Sequence, residues 1–175
     1  MKGIEIFDDV LSYEKRRRVF EIAHKSLFQI GWEDSPELDK RHQPCLHSRY
    51  NWEDIKNLNV WDDFKKVFQK SAFKKILNEE HYKETILNLT KPGDINYTHT
   101  HDNIVAVLYY INPTWNVEWG GETLFFNDGT DKIISANQFT PNRMIVFDGA
   151  VPHTIKCQNH EGPAYRFTLS MFFLK

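Results

Sequence analysis

The chain has 175 residues, of which 41% are hydrophobic, 14% aromatic and 26% charged, the size and apolar content of one folded domain rather than of a disordered segment. Its 22 Lys+Arg against 24 Asp+Glu give a formal charge of -2, without the cationic excess that binding to a phosphate backbone needs, which argues against nucleic acid as a partner. The longest apolar run, 104–111, is too short to cross a bilayer and the start MKGIEIFDDV has no apolar signal core, so no membrane partner and a cytoplasmic location are expected.

In residues 12–30, Phe20, Ala23, Leu27 and Ile30 recur every three or four positions, Ser12 stands where a cap belongs and Gly31 where a helix ends. The spacing predicts an amphipathic helix whose basic run, Lys15, Arg16, Arg17 and Arg18, forms its solvated face. Residues 32–58 lose periodicity, and His42, His47, Pro36 and Pro44 mark a polar connection. A second helix is expected after Asn59 as cap, with Asp62 and Asp63 in its first turn and Phe64, Phe68, Ala72 and Ile76 along one face.

Beyond Tyr82 the chain changes to β-branched and aromatic runs: ETILNLT, IVAVLYYI, GETLFF, KIISA, RMIVF, HTIKC and YRFTLSMFF. Turn residues separate them at the intervals of a sandwich or barrel. The expected fold is mostly β with buttressing N-terminal helices, one domain over 1–175 in which 1–82 supply helical support and a loop and 83–175 the β core. Cys45 and Cys157 lack a CxxC spacing and read as reduced core residues. Gly120 and Gly121 read as permitting a close approach of strands, and Trp115 and Trp119 either pack or, with 41–50, cover a substrate.

Chemistry concentrates in NYTHTHDN and GAVPHTIKC. Residues i and i+2 of a strand share a face, so His99 and His101 point two imidazoles one way, and His153 on a partner strand completes a facial set suited to a first-row metal. Asp102 offers the carboxylate of a two-histidine, one-carboxylate alternative.

In order and spacing, HTHD, VLYYIN, WGGETLFF, RMIVFDGAVPH and YRFTLSMFF resemble the 2-oxoglutarate/Fe(II) dioxygenases of the prolyl-4-hydroxylase-like group, a match covering 84–174. The resemblance implies a double-stranded β-helix (jelly roll) with Fe(II) held by His99, a middle ligand and His153. It also implies 2-oxoglutarate bound by Arg166, with Tyr110 and Ser170 assisting. Most of the group has His-x-Asp where this chain has His99-Thr100-His101-Asp102. Strand alternation favours His101, the group's preference for a carboxylate favours Asp102, and both registers are open. The implied reaction consumes O2 and 2-oxoglutarate, with ascorbate as an auxiliary reductant, and hydroxylates a peptide or small-molecule substrate, foremost a prolyl side chain. Two other readings compete: a cupin-like three-histidine metal dioxygenase or isomerase without 2-oxoglutarate, and a non-catalytic jelly-roll binding module.

Overall fold

The computed structural model describes residues 3–31, 46–94 and 96–175; His42, Cys45, Pro36, Pro44 and the 41–45 part of the expected cover lie outside the described residues. In chain order the elements are β1 (Ile4–Phe7), α1 (Tyr13–Lys25), β2 (Gln29–Ile30), β3 (Leu46–Tyr50), α2 (Trp52–Asn57), α3 (Trp61–Phe68), β4 (Tyr82–Thr90), β5 (Ile104–Tyr110), β6 (Thr123–Phe126), β7 (Ile133–Asn137), β8 (Met144–Asp148), β9 (His153–Ile155) and β10 (Arg166–Leu174). Every apolar run beyond Tyr82 that the sequence marks as a strand is one.

The strands form a seven-stranded sheet, ordered β1-β8-β5-β10-β4-β3-β2, facing a three-stranded sheet, β7-β6-β9. Strand alternation splits the apolar residues between two cores. Val105, Val107, Tyr109, Leu87, Leu89, Phe167 and Leu169 point outward onto Val19, Ala23, Phe64 and Phe68 of the helices. Ile86, Ala106, Leu108, Tyr110, Ile145, Phe147 and Phe172 point inward and meet Phe125 of the smaller sheet and Phe139. With both faces covered, β5 is buried throughout, which is why its sequence is an unbroken apolar run. This is the expected mostly β architecture, a double-stranded β-helix with helices against one outer face. Among the described residues no helix is long and apolar enough to cross a membrane.

The N-terminal third departs from the sequence reading. Ser12 caps α1, its side chain accepting from the Lys15 backbone N–H, but the helix stops at Lys25 instead of reaching Gly31. The Ser26 hydroxyl bonds the Ile22 carbonyl at 2.8 Å and the Tyr50 hydroxyl at 2.6 Å, and Gln29 and Ile30 pair with β3, so strand pairing overrides the helical pattern. Leu27 and Ile30, expected on the buried face, are 90% and 75% exposed. The basic run is solvated as expected and partly tied down: Lys15 pairs with Asp63, Arg17 with Glu21, and Arg16 donates to the Pro113 carbonyl.

The connection that lacked periodicity holds β3 and the short α2, the latter started by a capping box between Asn51 and Asp54. Asn59 does not cap α3; it takes a positive φ of 59°, and Val60 occupies the cap position without a side-chain bond. The helix ends at Phe68, because the Glu5 carboxylate of β1 captures the Ser71 hydroxyl and the Ala72 N–H and turns the chain, leaving Ala72 exposed. Cys157, expected in the core, is an exposed free thiol.

Asn142 ties the N-terminal arm to β5. At φ 67°, a conformation asparagine tolerates better than most residues, its Oδ1 accepts from the Leu11 N–H and the Tyr109 hydroxyl, both at 2.9 Å, and its Nδ2 donates to the Leu11 carbonyl at 3.0 Å. Asn142→Ala orphans these buried groups at about 1–3 kcal/mol each. The variant is expected to melt on the order of 10 °C below wild type in a thermal denaturation scan; an unchanged melting temperature would remove this anchor from the account of the fold.

Candidate active site

His99 is joined to β9 by one bridge: its N–H donates to the His153 carbonyl and the His153 N–H donates back to the His99 carbonyl, each at 3.0 Å. The His101 N–H donates to the Gly149 carbonyl at 2.8 Å, fixing the second imidazole beside the turn after β8. Backbone bonds alone thus bring together side chains far apart in sequence. The ring centroids lie 4.9 Å (His99–His101), 4.4 Å (His99–His153) and 5.2 Å (His101–His153) apart, and one nitrogen of each ring falls within 4.8 Å of the others.

The chemistry of these rings suits a divalent metal. Nδ1 of His99 lies 2.9 Å from the Tyr97 carbonyl, and Nδ1 of His153 lies 2.9 Å from the Val151 carbonyl. A carbonyl there calls for the proton on Nδ1, which leaves the Nε2 lone pair for a ligand. Burial, reinforced by the adjacent His99, pushes the His153 pKa down to about 3, so its imidazole is neutral at physiological pH. Asp102, the other candidate for the third position, is exposed in the following turn and stands outside the histidine group.

Gly149 is required by the same packing. A Cβ there would sit 2.6 Å from the His101 carbonyl oxygen, 2.9 Å from that of Ile104 and 3.0 Å from the His101 Cβ. Gly149→Ala therefore displaces His101; a metal titration is expected to show affinity lower by roughly 10–100-fold, the size of effect seen when a ligand's support is lost. Wild-type affinity in this variant would mean that the position of His101 is unimportant.

An open cavity runs inward from the histidines, lined by Asn88, Thr90, Asn96, Thr123 and Ser170 and by an apolar wall that includes Leu108, Phe147 and Phe172. Thr123 joins this cavity to Tyr110, whose hydroxyl lies 2.7 Å from the Thr123 Oγ1. Beside Tyr110 is Arg166, the first residue of β10 and 1% exposed. Its guanidinium lies over the rings of Phe139 and Tyr110, 4.8 and 5.5 Å from their centroids, while Nε, Nη1 and Nη2 have no hydrogen-bond partner among the described residues. Burial lowers its pKa to about 10, against the opposing influence of Tyr110 and Glu122, and it remains a cation at neutral pH. Burial also raises the Tyr110 pKa, keeping the phenol protonated.

A buried, unpaired guanidinium is costly unless an anion joins it, so the site has the donor set for a carboxylate at Arg166 and for a metal at the histidines. Ser170 lines the cavity and accepts from Asn88 Nδ2 at 3.0 Å. Gly121, at φ 81°, leaves room for Arg166: a Cβ there would stand 3.3 Å from Nε. Gly120, at φ 73°, passes so close to the Cys157 carbonyl that a Cβ would meet it at 2.8 Å, the close approach of strands expected from the sequence. Trp115 packs on Phe139 at 4.2 Å and donates to the Gly120 carbonyl, a packing role.

The sequence reading missed Asn88, Thr90 and Thr123. The signal present was the alternation of polar residues at 88 and 90 within ETILNLT, which marks an inner face that is not wholly apolar.

The profile of the 2OG-Fe(II) oxygenase superfamily matches residues 79–174, more than half of the chain. Among solved structures the fold is similar to a Trichoplax adhaerens prolyl hydroxylase in complex with a hypoxia inducible factor peptide fragment, at TM-score 0.75 and 16% identity, over 99% of this chain and 84% of that one. A Pseudomonas putida prolyl-4-hydroxylase gives 0.73 and 17%, over 99% and 93%. A viral collagen prolyl hydroxylase from Paramecium Bursaria Chlorella virus-1 gives 0.65 and 13%, over 99% and 90%. No curated protein sequence matches the chain significantly.

The fold and the paired metal and anion donor sets define a non-haem oxygenase of the double-stranded β-helix type. The chain belongs to the 2OG-Fe(II) oxygenase superfamily. It is a dioxygenase whose cofactor is Fe(II) and whose cosubstrates are 2-oxoglutarate and O2, and the cupin-like and non-catalytic readings are set aside.

Proposed function

We propose that the enzyme hydroxylates an amino-acid side chain, peptidyl or free, with a prolyl residue foremost, and that His99, His101 and His153 hold its iron. The observation that carries the reading is the buried Arg166 guanidinium, which has no hydrogen-bond partner among the described residues and stands beside a cavity with three imidazoles at its mouth. The prolyl hydroxylases among the similar folds, one of them with a peptide bound, support the substrate class. The exposed free thiol of Cys157 is in keeping with a reducing, cytoplasmic setting.

In this reading Arg166 forks the distal carboxylate of 2-oxoglutarate with parallel N–H donors. Tyr110 keeps its proton and donates a further hydrogen bond from beside Thr123, and Ser170 steadies the same ligand from β10. Three neutral imidazoles leave the full charge of a divalent ion uncompensated, which together with Arg166 favours a dianion. Leu108, Phe147 and Phe172 exclude water from the reacting centre. Iron, when bound, supplies the chemistry of O2 activation, with a balance of one C–H bond, 2-oxoglutarate and O2 consumed and one C–OH bond, succinate and carbon dioxide formed. Anaerobic titration of 2-oxoglutarate into the Fe(II)-loaded protein is expected to raise a weak visible charge-transfer band; iron bound with no band would refute the reading.

A further inference from the structure

The inner face of the larger sheet carries a polar row that extends past the residues assigned to iron and 2-oxoglutarate. His47 on β3 lies opposite Asn88 on β4, Asn88 opposite Thr168 on β10, and Thr168 opposite Tyr110 on β5. Directly opposed residues of neighbouring strands share a face, so His47 is on the cavity side with Asn88, which lines the cavity. His47 is 5% exposed and Asn88 8%. Nevertheless His47 Nε2, Asn88 Oδ1 and Thr168 Oγ1 make no hydrogen bond among the described residues. Each such atom costs about 1–3 kcal/mol, and three in one row, where buried polar groups are almost always satisfied, mark a place that a ligand completes.

We infer that His47 and Asn88 form a subsite for a neutral amide of the substrate to be hydroxylated, an inference that rests on the reading above. The Asn88 side chain is oriented by Ser170: Nδ2 donates to Ser170 Oγ, and Oδ1 is left as an acceptor. With a proton on Nε2, His47 is a donor one strand away, about 4.8 Å across the sheet. An amide carries both complements, an N–H for the Asn88 acceptor and a C=O for the His47 donor. Neither group is a permanent charge, so the pair complements an amide rather than a carboxylate, for which Arg166, on the same face of the sheet, is the partner. His47 and Asn88 thus orient the amide next to the target side chain and set specificity, while the 2-oxoglutarate end is served by other residues.

The test uses holoenzyme loaded with Mn(II), which is redox-inert, and 2-oxoglutarate, titrated with N-acetyl-prolinamide and followed by paramagnetic broadening of the probe's NMR signals. Wild type is expected to bind the probe. His47→Phe should weaken it at least about 10-fold, the loss of roughly one hydrogen bond in a desolvated site, and His47→Gln, which keeps a donor, should recover part of the loss. Binding of 2-oxoglutarate should change less than twofold in both variants, and thermal melts check that both are folded. Failure of wild type to bind 2-oxoglutarate would sink the oxygenase-site reading itself. Intact 2-oxoglutarate binding with no amide binding in wild type, or with amide binding untouched by His47→Phe, would overturn the subsite alone. Loss of 2-oxoglutarate binding in His47→Phe would also overturn it, by making His47 part of the cosubstrate site.

Discussion

His153→Ala should yield a folded protein that no longer retains Fe(II). The bonds that join residue 153 to residue 99 are backbone to backbone and survive the truncation. What is lost is a neutral imidazole packed against Phe147 and Phe125, a modest cavity in an otherwise apolar inner core. In the proposed site the metal would lose one of three protein donors, and the fall in affinity should exceed the roughly 10–100-fold that loss of a mere supporting hydrogen bond produces. Metal content after gel filtration, with a circular dichroism spectrum as the check on folding, decides it, and stoichiometric iron in the variant would refute the assignment. His101→Ala should behave like His153→Ala, and Asp102→Ala like wild type, because Asp102 is exposed in the turn. The reverse order would transfer the third ligand to Asp102.

Arg166→Met is expected to move binding and stability in opposite directions. Removing one partner of a buried, hydrogen-bonded charge pair costs about 2–5 kcal/mol, so the dissociation constant of 2-oxoglutarate should rise by roughly 30- to 5,000-fold and the charge-transfer band should vanish at ordinary concentrations. In the absence of 2-oxoglutarate the same arginine is a liability. Its three nitrogens are buried and without hydrogen bonds among the described residues, a penalty of several kcal/mol, against which the stacking on Phe139 and Tyr110 returns about 2 kcal/mol. The ligand-free variant should therefore melt above ligand-free wild type in parallel calorimetric scans. A lower melting temperature would show that Arg166 is a structural residue with partners, and retained 2-oxoglutarate affinity would remove it from the cosubstrate site.

The strands beyond residue 82 were legible because a buried strand is an apolar run between turns, and each such run in this chain is a strand. The ends of α1 and α3 were not, because they are set by partners elsewhere: β3 draws Gln29 and Ile30 into a sheet, and Glu5 bends the chain at Ser71. No periodicity in 12–30 or 59–76 contains that information. At the site, His99, His101, His153 and Arg166 could be singled out because imidazoles two apart, a distant third and a lone arginine opening an apolar strand are unusual in themselves. Whether His101 or Asp102 joins the group depends on one turn, which alternation alone does not fix. Asn88 and His47 became visible only through register, since a polar residue in a strand has no meaning until its opposite neighbours are known.

The position of β10 in the larger sheet has a consequence for how the enzyme is made. This strand, the last in chain order of the larger sheet, lies between β5 and β4 and pairs with both, and its first residue is Arg166. During synthesis His99 and His101 precede it by more than sixty residues and His153 by thirteen, so until β10 is made β4 and β5 present open edges to each other. Insertion of β10 closes those edges and delivers the anion receptor in one event. With Arg166 in its proposed role, the capacity to engage 2-oxoglutarate arrives together with this last pairing of the larger sheet.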